Sequence, residues 1–307
     1  MDNSILKVEN LSHRYSLQWA IRKISFEITQ NGIYGLLGSN GAGKSTMMNI
    51  MCGVLSQTEG NVYIQGVDIR EDPVEAKKHL GFLPQVPPLH PELTVEEYLQ
   101  YCADLRYIPD SEVKKAVGEV MERCGIGHFR KRLIRNLSGG YQQRVGIAQA
   151  IIHNPSFVVL DEPTNGLDPN QILEIRHLIK EIANERTMIL STHILSEVQA
   201  TCDYIRMIEQ GNLVFSGSID EFDHYITPNS LVVLLKNGPT LDELLQLPGV
   251  LGGEMLRENS YRLRYSGVEE VTRCLVEMSV AKGWDLMEIY PEKSSLNTIF
   301  AELSKNN

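Results

Sequence analysis

The stretch Ile33-Tyr34-Gly35-Leu36-Leu37-Gly38-Ser39-Asn40-Gly41-Ala42-Gly43-Lys44-Ser45-Thr46 decides the fold of this chain. It opens with an apolar run typical of a strand, continues through a glycine-rich turn and then becomes a helix start. The glycines of the turn allow backbone conformations that a Cβ would forbid, so successive N–H groups can point at an anion. The stretch therefore predicts a phosphate-binding loop between a strand and a helix.

The spacing G-x-x-x-x-G-K-S from Gly38 to Ser45 assigns roles to the side chains. Lys44 is expected to reach the β- and γ-phosphates, and the Ser45 hydroxyl is expected to bind Mg²⁺. The positive end of the following helix favours the same negative charge. The alternative, a glycine-rich surface turn followed by a chance Lys-Ser pair, does not explain why the flanking strand and helix are both present.

Composition limits the classes of function. A chain of 307 residues allows one large domain or two of ordinary size, and its net charge of -10 argues against a broad nucleic-acid interface. It contains no apolar run of about 18 residues and no signal-peptide pattern, so we expect a cytoplasmic protein that meets a membrane through a partner. Five scattered cysteines without a C-x-x-C pair are typical of reduced, packed thiols.

An aromatic side chain near the amino terminus is a candidate for base stacking. Residues 5–9 and 21–28 have strand patterns, and the segment Ser12–Trp19 separates them. Tyr15 is the candidate, with Trp19 in reserve, because an aromatic face can stack on a nucleotide base. The alternative is that Tyr15 is an ordinary half-buried strand aromatic.

A helical block is predicted to interrupt the sheet between about residues 87 and 137. It follows a short strand that leads to Gln85, whose amide could reach Mg²⁺ or an attacking water; taken alone, Gln85 also fits an exposed loop. Within the block, Thr94 and Glu97 form a capping box, and a second helix is expected over 111–124. The basic cluster 130–132, with Arg135, fits a solvated turn; the alternative is contact with a membrane surface or an acidic partner.

A second anion-binding helix start is predicted at Ser138-Gly139-Gly140, where Ser138 takes the N-cap position. Farther on, the buried strand 156–160 leads into Asp161 and Glu162, a charged pair that needs a cation or ligand. Asp161 fits the Mg²⁺-holding role and Glu162 that of the base that orients water, and at most one of the two is expected to lie in the strand. The next strand delivers His193 to the same edge, where ligands of open α/β sheets bind.

These motifs, in this order, resemble those of the ATP-binding cassette (ABC) ATPases. The motif segments are 38–46, Gln85, 137–144, 160–163, 166–169 and His193. The resemblance implies an α/β fold over residues 1–218, with a RecA-like core sheet, an antiparallel β subdomain and a helical subdomain. It leaves no room for a kinase or GTPase, since neither explains residues 137–144.

The resemblance also implies site roles and cofactors, ATP and Mg²⁺. Tyr15 would contact adenine, Thr46 the α-phosphate and His193 the γ-phosphate. The residues implied around the phosphates are Ser39, Asn40, Gly41, Ala42, Gly43, Lys44, Ser45 and Thr46. Those implied for Mg²⁺ are Ser45, Gln85 and Asp161, and those for catalysis are Glu162, His193, Gln85 and Lys44. In this family two cassettes dimerise head to tail, so Ser138, Gly139 and Gly140 would cap the partner's γ-phosphate and Asp168 would link the two sites.

Residues 219–307 form a separate pattern, βαββαβ, which predicts a small α+β ferredoxin-like domain. Its closing segment, 294–303, resembles the terminal helix of cassette ATPases that serve ABC-2-type exporters, including drug-export and gliding-associated members. We expect an interaction or regulatory appendage here.

The sequence therefore predicts an ATP-hydrolysing subunit that drives a separately encoded multi-span permease from the cytoplasmic face of the membrane. A homodimer is expected because no catalytic position departs from the family pattern. The alternative is a soluble cassette ATPase that acts on ribosomes or DNA without a permease. Since cargo is selected by the permease, the sequence does not name it.

Overall fold

The computed structural model describes residues 4–225 and 230–292, with the side chains of 224 and 225 left out. The chain divides between Ile219 and Asp220 into two compact units, which are described separately. The predicted terminal helix 294–303 lies outside the described residues.

The strands, in chain order, are β1 (Leu6–Tyr15), β2 (Gln18–Ile28), β3 (Ile33–Leu37), β4 (Glu59–Ile64), β5 (Val67–Asp68), β6 (Leu80–Leu83), β7 (Phe157–Asp161), β8 (Thr187–Thr192), β9 (Tyr204–Glu209), β10 (Asn212–Ser218), β11 (Ser230–Leu235), β12 (Val250–Arg257), β13 (Ser260–Tyr265) and β14 (Leu286–Pro291). The α-helices are α1 (Lys44–Met51), α2 (Pro73–Lys78), α3 (Val95–Leu105), α4 (Asp110–Arg123), α5 (Gly139–Ile151), α6 (Pro169–Ala183), α7 (Leu195–Thr201), α8 (Ile219–Tyr225), α9 (Leu241–Leu245) and α10 (Val268–Lys282).

A six-stranded sheet forms the centre of the first unit, in the order β10-β9-β3-β8-β7-β6. Strands β3 and β6 to β9 run parallel, and β10 pairs antiparallel with β9. Every residue of β3, β7 and β8 is buried, which fits the apolar residues that make up most of each strand. Because the strands are parallel, the loops that follow β3, β6, β7 and β8 lie at one edge of the sheet.

A second, antiparallel sheet has the order β2-β1-β4-β5. Its first two strands are longer than the sequence predicted, because the segment Ser12–Trp19 belongs almost wholly to the strands. Tyr15 pairs with Gln18 across the two-residue turn Ser16-Leu17, and Ser16 adopts a φ of 53°. A residue with positive φ permits such a tight hairpin, so Tyr15 ends a strand.

The helical block consists of α3, α4 and two short 3-10 helices, Gly127–Phe129 and Ile134–Asn136. The predicted capping box is confirmed. The Glu97 N–H donates to Thr94 Oγ1 at 3.3 Å, and the Thr94 N–H donates to Glu97 Oε2 at 2.8 Å. These bonds satisfy two backbone donors at the start of α3. Among the described residues, no helix is both long and apolar enough to cross a membrane.

The second unit is an antiparallel sheet in the order β12-β13-β11-β14, with α9 after the first strand and α10 after the third. This βαββαβ order and strand arrangement are those of a ferredoxin-like fold, as the sequence predicted. Its core includes Leu231, Val233, Leu263, Leu275 and Trp284.

The two tryptophans allow the stability of each unit to be measured separately, since Trp19 lies in the first unit and Trp284, 5% exposed, lies in the second. Leu263 is fully buried, so Leu263→Ala should lower the free energy of unfolding of the second unit by about 3 kcal/mol. Urea titration followed by Trp284 fluorescence in a Trp19→Phe background should show the loss. The Trp19 transition, followed in a Trp284→Phe background, should keep its midpoint.

Met255→Ala serves as the matched control, because Met255 is 59% exposed on the same sheet and should change stability by less than about 0.5 kcal/mol. Equal shifts of both tryptophan transitions in Leu263→Ala would show that the units unfold as one.

Candidate functional site

The phosphate-binding loop runs from the end of β3 to the start of α1 and is shaped by a close approach to β2. Gly43, the residue before α1, has a φ of 107°. A Cβ on Gly43 would lie 2.6 Å from Ile21 Cγ2, so only glycine fits there. Lys44, 6% exposed, folds back over the loop and donates through Nζ to the carbonyl oxygens of Gly38 at 2.8 Å and Ser39 at 2.9 Å.

Carboxylates surround the buried Lys44 ammonium. Burial lowers the pKa of Lys44, while the negative charges of Glu162, Asp161 and Glu209 act in the opposite direction. Glu209 also accepts hydrogen bonds from Ser39 Oγ at 3.1 and 2.8 Å. The Lys44 ammonium is therefore held by two loop carbonyls and lies in the field of three carboxylates, one of which also fixes Ser39.

The ends of β7 and β8 fix the two adjacent carboxylates. Asp161, 4% exposed, is the last residue of β7, and Glu162 lies just outside the strand with a φ of 46°. One residue of the pair thus lies in the strand, as the sequence predicted. Ser191 Oγ donates to Asp161 Oδ1 and accepts from the Glu162 N–H at 2.9 Å. Ser191 therefore fixes both residues.

Two polar side chains, Gln85 and His193, contact the Glu162 carboxylate at this edge of the sheet. Gln85 Nε2 donates to Glu162 Oε2 at 3.1 Å, and His193 Nδ1 lies 3.2 Å from Glu162 Oε1. Gln85 is exposed, but it is not an isolated loop residue. The structure thus brings together residues from the ends of β6, β7 and β8 that are far apart in sequence.

Tyr15 lies next to the phosphate-binding helix. Its hydroxyl is 3.5 Å from Thr46 Oγ1, and its ring is 54% exposed with an edge contact to His13 at 4.7 Å. Trp19 instead packs beneath the Arg14 guanidinium. Tyr15 is therefore not half-buried in the sheet, and of the two candidates it is the one in contact with the loop.

The second predicted anion site lies at the start of α5. Ser138 takes the N-cap position, although its side chain makes no capping bond. A Cβ on Gly140 would lie 2.9 Å from Gln171 Cδ, so this helix start packs beside the start of α6. There Asp168 is the N-cap, and its Oδ1 accepts from the N–H groups of Asn170 and Gln171 at 3.0 Å each.

Sequence reasoning missed the polar residues that hold this edge together: Ser191, Thr164, Thr192, Glu197 and Glu209. Ser191, Thr192 and Glu197 are buried, and Thr164 and Glu209 are half-buried. The Ser191-Thr192 pair that ends an apolar strand was the available signal, because buried hydroxyls need partners.

Comparison with known proteins places the site in a family. The family model described as ABC transporter matches residues 21–165. The bacitracin transport ATP-binding protein BcrA of Bacillus licheniformis is 37% identical over 69% of this chain and 69% of its own length. This chain belongs to the ABC transporter ATP-binding proteins.

Two further matches extend the comparison. The linearmycin resistance ATP-binding protein LnrL of Bacillus subtilis is 28% identical over 98% of both chains, so the match includes the second unit. A solved cassette, described as dimeric, in a post-hydrolysis state and bound to ADP and Pi, superposes with a TM-score of 0.63 at 26% identity, over 70% of this chain and 98% of that one.

As an ABC transporter ATP-binding subunit, the chain binds and hydrolyses ATP. The predicted cassette fold and the predicted membership of the ABC ATPase family are confirmed. The alternative of a soluble ATPase acting on ribosomes or DNA is not favoured, because the named relatives are transport and resistance proteins.

The position of Tyr15 generates a prediction for nucleotide affinity. Tyr15→Ala should raise the Kd for ATP by about tenfold, because base–aromatic stacking contributes about 1–3 kcal/mol. Tyr15→Phe retains the ring, so its Kd for ATP should stay within about threefold of that of the unchanged protein. Isothermal titration with ATP measures both values. If Trp19→Ala, rather than Tyr15→Ala, weakened binding, the base would stack on the reserve candidate.

Proposed function

We propose that this chain is the motor subunit of an ABC-2-type exporter, in which two copies close head to tail on Mg²⁺ and ATP and drive a separately encoded permease. The contact of Gln85, Glu162 and His193 beside Lys44 is the observation that carries the proposal. Lys44 is the cation that would bind phosphate, and Glu162 is the carboxylate that would orient water. Gln85 and His193 follow the two neighbouring strands and contact that carboxylate. The relatives named for bacitracin transport and linearmycin resistance support export as the direction.

Binding begins with the loop. The backbone amides of residues 39–46 and the Lys44 ammonium receive the phosphates, while the Tyr15 ring covers adenine. Lys44 would exchange its bonds to the Gly38 and Ser39 carbonyls for bonds to phosphate oxygens, so no new burial of the cation is required.

The donor set near Lys44 fits Mg²⁺. The Ser45 hydroxyl, the Gln85 amide oxygen and the Asp161 carboxylate are hard oxygen ligands of the kind that Mg²⁺ prefers. Asp161 is buried and oriented by Ser191, so its carboxylate is fixed before any cation binds. Mg²⁺ held by these oxygens would neutralise charge on the phosphates during phosphoryl transfer.

Hydrolysis is assigned to Glu162. Its position just past β7 places the carboxylate between Gln85 and His193, where it orients water for in-line attack and accepts its proton. His193, bonded to Glu162 through Nδ1, is placed to contact the γ-phosphate with the other edge of its ring. Both groups are positioned before substrate binds, which lowers the entropic cost of the reaction.

A second copy of the chain completes the site. The start of α5, at Ser138, Gly139 and Gly140, presents backbone N–H groups and the positive end of the helix. Each copy already binds the phosphates of its own nucleotide at Lys44, so this second anion site has no ligand within the same copy. We assign this helix start to the γ-phosphate of the partner. Asp168, at the start of the neighbouring helix, is then placed at the junction of the two sites. The solved relative described as dimeric supports this assembly.

A groove in the first unit is assigned to the permease. It encloses about 1600 Å³, and its floor includes Leu80 and Phe82 of β6, the strand that leads to Gln85. Its walls carry exposed apolar side chains between charged residues of both signs: Val54 is 65% exposed, Val74 63% and Tyr107 87%. An apolar surface bordered by charged residues can bind the apolar face of a short amphipathic helix, and we assign that helix to a cytoplasmic loop of the permease.

Glu162→Gln tests the catalytic assignment. The amide preserves size but cannot take a proton, so kcat for ATP should fall by more than about 100-fold. The Kd for ATP should stay within about threefold, because the loop contacts are untouched, and Mg·ATP should trap a dimer in gel filtration. Glu9→Gln, which removes a carboxylate from the surface ion pair with Lys7, should behave as the unchanged protein. Undiminished steady-state hydrolysis in Glu162→Gln would contradict the assignment.

Val54→Glu tests the groove. A charge placed among its apolar side chains should prevent co-purification of a multi-span permease from detergent-solubilised membranes in Mg·ATP, read by mass spectrometry. Val280→Glu, an 82% exposed position on the second unit, should retain the permease. Because Val54 is exposed and away from the phosphate loop, ATP hydrolysis by the isolated subunit should be unaffected. Recovery of ribosomal proteins in place of a permease would contradict the transporter assignment.

A further inference from the structure

A buried carboxylate of α7 joins the two loops that carry the proposed catalytic residues. Glu197 is 6% exposed. It accepts from Thr164 Oγ1, 2.9 Å from each of its oxygens, and from Thr192 Oγ1 at 2.9 Å. Arg176 of α6 approaches through Nη2 at 3.6 Å. Partners from three segments therefore meet at one side chain.

Thr164 belongs to the loop after β7. It follows Glu162 by two residues, and the turn is closed by the Asn165 N–H donating to the Glu162 carbonyl at 3.1 Å. Its hydroxyl fixes the loop that runs from Glu162 to Asp168. The bond from that hydroxyl to Glu197 therefore connects α7 to the turn in which Glu162 adopts its positive φ.

Thr192 performs the same role for His193. Its hydroxyl donates to Glu197 and accepts from the Ile194 N–H at 3.1 Å, so bonds on both sides of His193 fix the backbone that carries the ring. Glu162 Oε1 and His193 Nδ1 are 3.2 Å apart, and Glu197 is a common hydrogen-bond acceptor for the two loops that carry them.

We infer that Glu197 is a positioning residue for ATP hydrolysis, which holds the Glu162 loop and the His193 loop in the relation that aligns water with the γ-phosphate. The inference rests on the proposed roles of Glu162 and His193. The Glu197 carboxylate bonds to Thr164 and Thr192 and lies near Arg176, all outside the phosphate loop, so its effect should fall on turnover and not on nucleotide binding. A misplacement of about 1 Å among reacting groups costs on the order of 100-fold in rate.

The test separates kcat from KM. Glu197→Ala should lower kcat for ATP by about 10- to 100-fold and leave KM within about twofold. Thr164→Val removes only the hydroxyl at a half-buried position, and we expect it to lower kcat by about fivefold to tenfold by the same misplacement. Thr164→Ser restores the hydroxyl and should recover most of that loss. If Glu197 and Thr164 contributed only to stability, these variants would lower the melting temperature, but kcat would neither fall in Thr164→Val nor recover in Thr164→Ser.

A double-mutant cycle completes the test. Thr164→Val should add no further loss in the Glu197→Ala background, because the hydroxyl acts through the carboxylate. If Glu197→Ala does not fold, Thr164→Val and Thr164→Ser decide the question alone. Unchanged kcat in Thr164→Val would overturn the inference, as would independent, additive losses. Should Glu162→Gln itself retain turnover, the proposed function fails; if Glu162→Gln is inactive while Glu197→Ala turns over normally, only the inference fails.

Discussion

The burial of the Lys44 ammonium at one edge of the parallel sheet is the constraint on which the site depends. A cation that is 6% exposed needs partners, and two loop carbonyls with three nearby carboxylates supply them. Those carboxylates come from the ends of β7 and β9, so the arrangement requires the strands to end together. A phosphate that replaces the two carbonyl contacts would give the Lys44 ammonium a charged partner in place of two neutral ones, so the buried cation would stay paired.

The same edge connects nucleotide chemistry to the rest of the first unit. Gln85 joins Glu162 to the segment after β6, and β6 forms part of the floor of the groove assigned to the permease. On the other side, the start of α5 packs beside the start of α6, where Asp168 is the cap. Glu162 therefore lies within a short chain of contacts from both proposed partners, which gives a physical route for coupling hydrolysis to movement of the permease.

Sequence alone predicted the parts of this structure whose signals are local. The phosphate loop and the Thr94 capping box rest on spacing within a few residues, and the βαββαβ succession of the second unit rests on the apolar pattern of each segment. Longer-range features were missed. The polar, aromatic segment Ser12–Trp19 lacks the alternation of a half-buried strand. Pairing across the hairpin nevertheless makes its two ends parts of β1 and β2. Glu197 lies in a helix of seven residues, and only the fold brings Thr164 and Thr192 to it.

Activity from mixed inactive variants tests most directly whether two copies build each ATP site. Lys44→Ala removes the phosphate-binding cation, and Ser138→Arg blocks the helix start of α5, so each variant alone should be inactive. In a mixed head-to-tail dimer, one site carries both changes and the other carries neither. Mixing the two purified variants should therefore restore ATP hydrolysis. A mixture that stays as inactive as its components would contradict a site shared between copies.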